Sequence, residues 1–337
     1  MPSAGAISGT DMKRLKTADI GRILTLALLL AGAIFLLIGS LTSTRFAGLT
    51  VQGVALGFVY GSLALALVLI YRATHVINFA QGELAMLTTF IAYQLVQWGL
   101  PYWGAFFATL AIAFVLGTVL QVTVIRPVQH RSVIATVIVT VGLFILVDGV
   151  VNWIWGGEFR YLASPFGNGN FSIGGVYIQY LYVGMVGVVA TCVLAVWALF
   201  RFTKLGLAMR AAALRPATAA LAGVRVEAML AIGWGLAAVL GAVAGLMAEP
   251  AGFSGLEPVF MQPILVYAFA AAALGGLESP VGAVVGGVAI GVLLELIVGY
   301  VPQIGAALQL PFSFALILGI LLVKPSGLFG HSEVQRV

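Results

Sequence analysis

Long apolar runs follow one another along almost the whole chain, and its basic residues fall in the gaps between them. Fourteen of the sixteen Lys and Arg residues lie in five clusters: Lys13, Arg14, Lys16 and Arg22; Arg72; Arg126 and Arg131; Arg201, Lys204, Arg210, Arg215 and Arg225; Lys324 and Arg336. One alternating path through a bilayer puts all five on the same side, and only Arg45 and Arg160 fall on the other. Lys and Arg are retained on the cytoplasmic side of membrane proteins. The pattern therefore predicts an all-α, polytopic membrane helical bundle with both termini cytoplasmic.

Composition agrees: 62% of residues are hydrophobic, 8% are charged, and the mean hydropathy is +1.13. A soluble domain carries about 25% charged residues. A spanning helix needs about 20 apolar residues, and ten runs are candidates: 21–41, 50–70, 83–98, 104–125, 132–155, 180–200, 227–248, 263–274, 281–299 and 310–323. The runs at 83–98, 263–274 and 310–323 are short, and 263–274 reads as a broken or re-entrant element, so eight to ten transmembrane segments are expected. The net charge of +5 is explained by topology and calls for no nucleic acid. Residues 1–19 form a polar cytoplasmic tail, 20–325 one membrane domain, and 326–337 a second cytoplasmic tail. The first run is read as a retained helix, since its apolar length exceeds that of a signal peptide. The lone Cys192 has no second thiol with which to pair or share a metal.

Glycines recur at intervals of four: Gly53, Gly57 and Gly61; Gly241 and Gly245; Gly282 and Gly286; Gly287 and Gly291. That spacing lines them along one helix face, where another backbone can approach closely, and marks these spans as the packed interior. The outer segment 156–179 is rich in Gly and Asn, a turn-forming composition, and offers a surface to an external partner.

Carboxylates within apolar runs are costly in lipid and are candidates for function. Glu295 lies inside the ninth run, where an interhelical hydrogen bond and a place in a transport path are both open. Asp148 has Asn152 one turn later, and the two are expected to share an interhelical polar contact. Glu83 and Glu278 each lie at a break, in Asn78-Phe-Ala-Gln-Gly-Glu and Gly275-Gly-Leu-Glu-Ser-Pro. An acid in a first helical turn is favoured by the dipole alone, but broken helices in transporters also present their ends to substrate. Asn78, Gln81, Glu83, Glu278 and Glu295 are therefore the candidate substrate path. In the basic segment 201–226, Pro216 suits the first turn of a short helix and Gly223 its end.

The chain contains no phosphate-cradling Gly-x-x-x-x-Gly-Lys-Ser/Thr sequence, so any ATP must be hydrolysed by another subunit. Gly252-Phe-Ser-Gly matches an intramembrane protease pattern weakly. Ser254 falls on the side opposite His75, His130 and His331, leaving it without a base. No catalytic residue, metal site or cofactor is expected.

Four stretches carry a family resemblance: Gly48-Leu-Thr-Val-Gln-Gly-Val-Ala-Leu-Gly with Gly61-Ser-Leu-Ala-Leu-Ala; Ile77-Asn-Phe-Ala-Gln-Gly-Glu; Thr203-Lys-Leu-Gly-Leu-Ala-Met-Arg-Ala with Ala219-Ala-Leu-Ala-Gly-Val; and Ala273-Leu-Gly-Gly-Leu-Glu-Ser-Pro-Val-Gly-Ala-Val-Val-Gly-Gly. In this order, over roughly residues 48–330, the chain resembles the permease subunits of branched-chain amino acid ABC importers, of the high-affinity leucine/isoleucine/valine H type. The resemblance implies a heterodimer with a second permease in membrane lipid, two cytoplasmic ATPase subunits and an extracytoplasmic substrate-binding protein. It makes 201–226 the coupling segment, with Arg210, Arg215, Pro216, Ala219, Ala220 and Gly223 meeting an ATPase. Related systems carry urea, short-chain amides or aromatic acids, so these substrates are the alternative, and a proton- or sodium-coupled carrier is a more distant one. Two positions depart from the family pattern: Gln81 stands where His is usual, and Pro216-Ala217-Thr218 is nearly apolar where an acidic or polar group is usual.

Overall fold

The computed structural model describes residues 32, 34–41, 43–129, 131–252, 255–301, 308–323 and 327–329. Most of the first apolar run, the N-terminal tail, Ser254, and the C-terminal tail apart from 327–329 lie outside the described residues. The chain divides into residues 1–47, helical at 34–41 where described, and residues 48–337.

Among the described residues, six helices are long and apolar enough to cross a membrane. They are α1 (Thr44–Thr74), α3 (Tyr102–Gln129), α4 (Val133–Trp155), α5 (Tyr180–Phe202), α8 (Val226–Ala251, ending in a 3-10 turn) and α10 (Pro280–Tyr300). Within α3, residues Gln121–Ile125 form a π-helical turn. Three shorter helices accompany them, α2 (Gln81–Gln97), α9 (Met261–Gly275) and α11 (Gln309–Val323). Two more, α6 (Lys204–Leu214) and α7 (Pro216–Leu221), lie in the basic segment between α5 and α8. Among the described residues, the departure from an all-helical chain is in the segment 156–179. There Asn170–Ile173 and Val176–Gln179 pair as an antiparallel hairpin, β1–β2, whose turn is made by Gly174 and Gly175 at positive φ.

Burial separates central from peripheral helices. The apolar window of α1 is 89% buried, against 17% for α5, and α8 packs against α2 and α3. Glycine explains how the centre closes. A Cβ added at Gly53 would lie 2.6 Å from Val292 Cα, at Gly57 2.6 Å from Val288 Cα, and at Gly61 3.1 Å from the Val284 carbonyl. The pairs descend in α10 as they ascend in α1, so these helices cross antiparallel, backbone against backbone. Along α10 the two glycine pairs face different neighbours. Gly287 and Gly291 meet α1, whereas Gly282 and Gly286 meet Gly275 and Ala271 of α9. Residues five apart on a helix point about 140° apart, which lets one helix be clasped from two sides.

α1 ends at His75, which adopts φ +53° and donates its N–H to the Tyr71 carbonyl. A left-handed residue closes a helix by turning the chain away from its axis. After it the chain does not emerge, because Val76, Asn78 and Ala80 are all buried before α2 starts.

Candidate functional site

α2 has 17 residues and α9 has 15, both short of the roughly 20 needed to span. Their first turns meet inside the protein. Gln262, the second residue of α9, donates from Nε2 to Glu83 Oε1 in the first turn of α2 at 3.2 Å. Beside this contact, a Cβ at Gly82 would lie 3.1 Å from the Leu265 side chain.

The break before α2 is held by its own polar residues. Asn78 Oδ1 accepts from the Ala80 N–H at 3.1 Å, an Asx turn, and Asn78 Nδ2 donates to Gln81 Oε1 at 3.2 Å. Gln81 Nε2 then donates to the Ala237 carbonyl of α8 at 2.9 Å. Gly241 permits that reach, since a Cβ there would lie 2.7 Å from Gln81 Nε2. Ser62 of α1 donates to the Leu240 carbonyl, one turn further along α8, at 3.0 Å. Ala237 lies eleven residues past Val226 (237 − 226), about 16 Å along the axis at 1.5 Å per residue. That is about half of a 30 Å hydrocarbon core.

Asn78, Gln81 and Glu83 are each 1% exposed. Glu83 Oε2 is buried and has no hydrogen-bond partner among the described residues. The N–H groups of Gly82 and Glu83 also lack an acceptor there, because the N–H groups on either side of them turn to the Asn78 and Ala80 carbonyls. A helix start leaves such donors free and positively polarised. Donors and an acidic acceptor thus stand side by side at one buried point.

Three of the five candidate path residues are brought together in this way; the other two lie elsewhere. Glu278 is exposed in the turn between α9 and α10, where it acts electrostatically on Arg72. Glu295 is partly buried in α10, within electrostatic reach of Tyr60, Tyr182 and Tyr267. Among the described residues Asp148 and Asn152 show no shared hydrogen bond to another helix, and Asp148 Oδ1 is buried without a partner. Asn152 Nδ2 donates at 3.0 Å to the Asp148 backbone carbonyl in its own helix, because residues four apart lie on the same face. The Asp148 carboxyl is instead an electrostatic neighbour of Glu83.

Sequence reasoning missed Gln262 and Glu249. A polar residue opening a shortened apolar run, followed by Pro263, marks the first. Glu249, before Pro250 at the end of α8, accepts the Leu162 N–H at 2.9 Å while 3% exposed. Together with the Arg160–Leu256 backbone pair it ties the outer segment down.

In the basic segment, Pro216 opens α7, and Gly223 at φ +82° follows its end. The N–H of Gly223 meets the Ala220 carbonyl, and that of Val224 the Ala219 carbonyl, both at 3.0 Å. Ala219 is buried, while Arg215, Pro216 and Ala220 are exposed, as are the apolar Leu214 and Leu221. Arg210 turns back to its own helix, Nε donating to the Gly206 carbonyl at 3.4 Å. It also borders a cavity of about 500 Å³ between α1, α5, α6 and α10, whose walls include Leu69, Arg72, Trp197, Arg201 and Val284. This cavity does not include the Asn78–Glu83 junction.

A family model described as branched-chain amino acid transport system / permease component matches residues 49–322. The chain is 29% identical over 302 residues to the high-affinity branched-chain amino acid transport system permease protein LivH of Salmonella typhimurium, covering 85% of this chain and 96% of that protein. It is 30% identical over 297 residues to a probable branched-chain amino acid transport permease protein LivH of Methanocaldococcus jannaschii, covering 80% and 87%. Among solved structures, a chain of PsaBC from Streptococcus pneumoniae in complex with Fab aligns with TM-score 0.45 and 15% identity, covering 87% of this chain and 97% of that one.

Proposed function

The chain belongs to the family of branched-chain amino acid transport permeases, and from that premise we propose that it moves branched-chain or similarly small amino acids through the cytoplasmic membrane. It does so as one permease of an ATP-driven importer. The observation that carries the reading is the buried junction of α2 and α9, a polar point about half-way along α8. A polar solute crossing a bundle this apolar needs such a point.

The rest of the assembly follows from chemistry this chain lacks. With no nucleotide-binding sequence of its own, it takes its energy from two ATPase subunits on the arginine-rich, cytoplasmic face. The exposed apolar side chains Leu214 and Leu221, flanked by Arg215, suit an interface: apolar groups at its core and charge at its rim. Closure of the ATPases would push on α6 and α7, through Arg210, Arg215, Pro216, Ala219, Ala220 and Gly223, and so on α8. A second permease completes the path, and an extracytoplasmic binding protein delivers substrate to the side carrying the β1–β2 hairpin. Asn78, Gln81 and Glu83 line the path; Glu278 and Glu295 bear on its two ends.

Uptake of labelled leucine, urea and benzoate into vesicles tests the reading, with this chain expressed alone and then with its partner subunits, with and without internal ATP. Leucine uptake that needs both partners and ATP is expected. Uptake by this chain alone would overturn it.

A further inference from the structure

We infer that the junction of α2 and α9 is a zwitterion site, holding the ammonium of an α-amino acid on Glu83 Oε2 and its carboxylate on the N–H groups of Gly82 and Glu83. The inference rests on the transport reading above and adds to it which atoms select the solute. Three observations converge. Glu83 is 1% exposed, and one of its oxygens is taken by Gln262 while the other has no partner among the described residues. A buried carboxylate oxygen left unpaired costs several kcal/mol, a penalty that a cationic group arriving from outside removes. The free N–H groups of Gly82 and Glu83 lie in the same first turn, where the helix dipole favours an anion.

One small molecule carries both charges, because the ammonium and carboxylate of an α-amino acid are attached to the same carbon. They must therefore meet an acceptor and donors that are equally close. Gly82 lets Leu265 pack close against this turn, since a Cβ there would lie 3.1 Å from its side chain. Leu265 and Ala237 are buried apolar neighbours of this turn. Gln81 and Asn78 bond Ala237, Ala80 and each other; they hold α2's first turn in place.

This arrangement separates the candidate substrates. An amide or urea has no charge for either half, and an aromatic acid has only the carboxylate.

The test uses the whole transporter, reconstituted with its partner permease, ATPases and binding protein. ATP-dependent leucine uptake by the wild type is established first; if no amino acid is carried at all, the transport reading fails rather than this one. Glu83→Gln then keeps the side chain's size and an acceptor for Gln262, so a purely structural Glu83 would tolerate it. We expect leucine uptake to fall about tenfold or more, the scale of one charge-assisted hydrogen bond, with the complex still assembled.

In parallel, thermal unfolding of the wild-type membrane complex is followed with leucine, with 4-methylpentanoate, which lacks the ammonium, and with isopentylamine, which lacks the carboxylate. Only leucine should raise the midpoint, as a ligand bound to the folded state does. Uptake by Glu83→Gln within twofold of wild type would overturn the inference. So would a midpoint raised equally by 4-methylpentanoate, or no leucine shift in a transporter that carries leucine. If Glu83→Gln does not assemble, the three-compound comparison on the wild type decides alone.

Discussion

Replacing Gly57 by Ala should destabilise this protein although alanine is the better helix former. In an ordinary helix the change gains about 1 kcal/mol. At Gly57, however, the new Cβ would lie 2.6 Å from Val288 Cα and 2.8 Å from the Gly287 carbonyl oxygen. Carbon atoms prefer about 3.5 to 4.0 Å, so α1 and α10 must part by about 1 Å. Both obstacles are backbone, which no rotamer change moves aside. A gap of that size forfeits about a quarter to a half of each dispersion contact along the crossing. The same crossing is shared with Gly53 and Gly61. Overpacking of this kind costs about 1–3 kcal/mol, so after the propensity gain of about 1 kcal/mol the net loss should be up to about 2 kcal/mol.

The assay is thermal unfolding of the purified protein in lipid nanodiscs, with Gly142→Ala as the control. Gly142 is an exposed residue of α4 with nothing within 4 Å of a built Cβ, and its replacement should be neutral or stabilising. Gly291→Ala should cost about as much as Gly57→Ala. The double variant should cost less than the sum of the two, because once the helices have parted the second methyl meets little. A Gly57→Ala protein as stable as Gly142→Ala would refute the close crossing.

Three further outcomes are expected. Gln81→Leu removes the side-chain donor to the Ala237 carbonyl and leaves the buried Asn78 Nδ2 without its acceptor, so it should lower stability by about 1–3 kcal/mol and reduce transport, measured by unfolding and uptake on the same preparation. Arg210→Glu and Gly223→Pro should each weaken ATPase association while the bundle stays folded. Unchanged co-purification together with unchanged substrate-stimulated ATP hydrolysis would contradict the coupling role. Glu249→Ala removes the acceptor for the Leu162 N–H, so hydrogen exchange at residues 158–163 should accelerate about tenfold or more with little change in the rest of the helices.

Much of this protein is written locally. Apolar runs and basic clusters determined the spans, and four-residue glycine spacing marked helices that pack closely. Pro216 and Gly223 bounded α7 because each residue's backbone preference acts at its own position. What the sequence alone could not reveal is which group each polar residue meets. Gln81 bonds a carbonyl 156 positions away, Ser62 one 178 away, and Glu83 a side chain 179 away. Nor could spacing say that Gly282 and Gly286 face α9 while Gly287 and Gly291 face α1, since a stripe fixes a face but not its neighbour. Glu278, at a break like Glu83, and Glu295, inside an apolar run, both came to lie apart from it. A helix's position along the chain depends on its own residues, whereas the pairing of a buried carboxylate depends on which distant helix reaches its depth, and tertiary packing decides that.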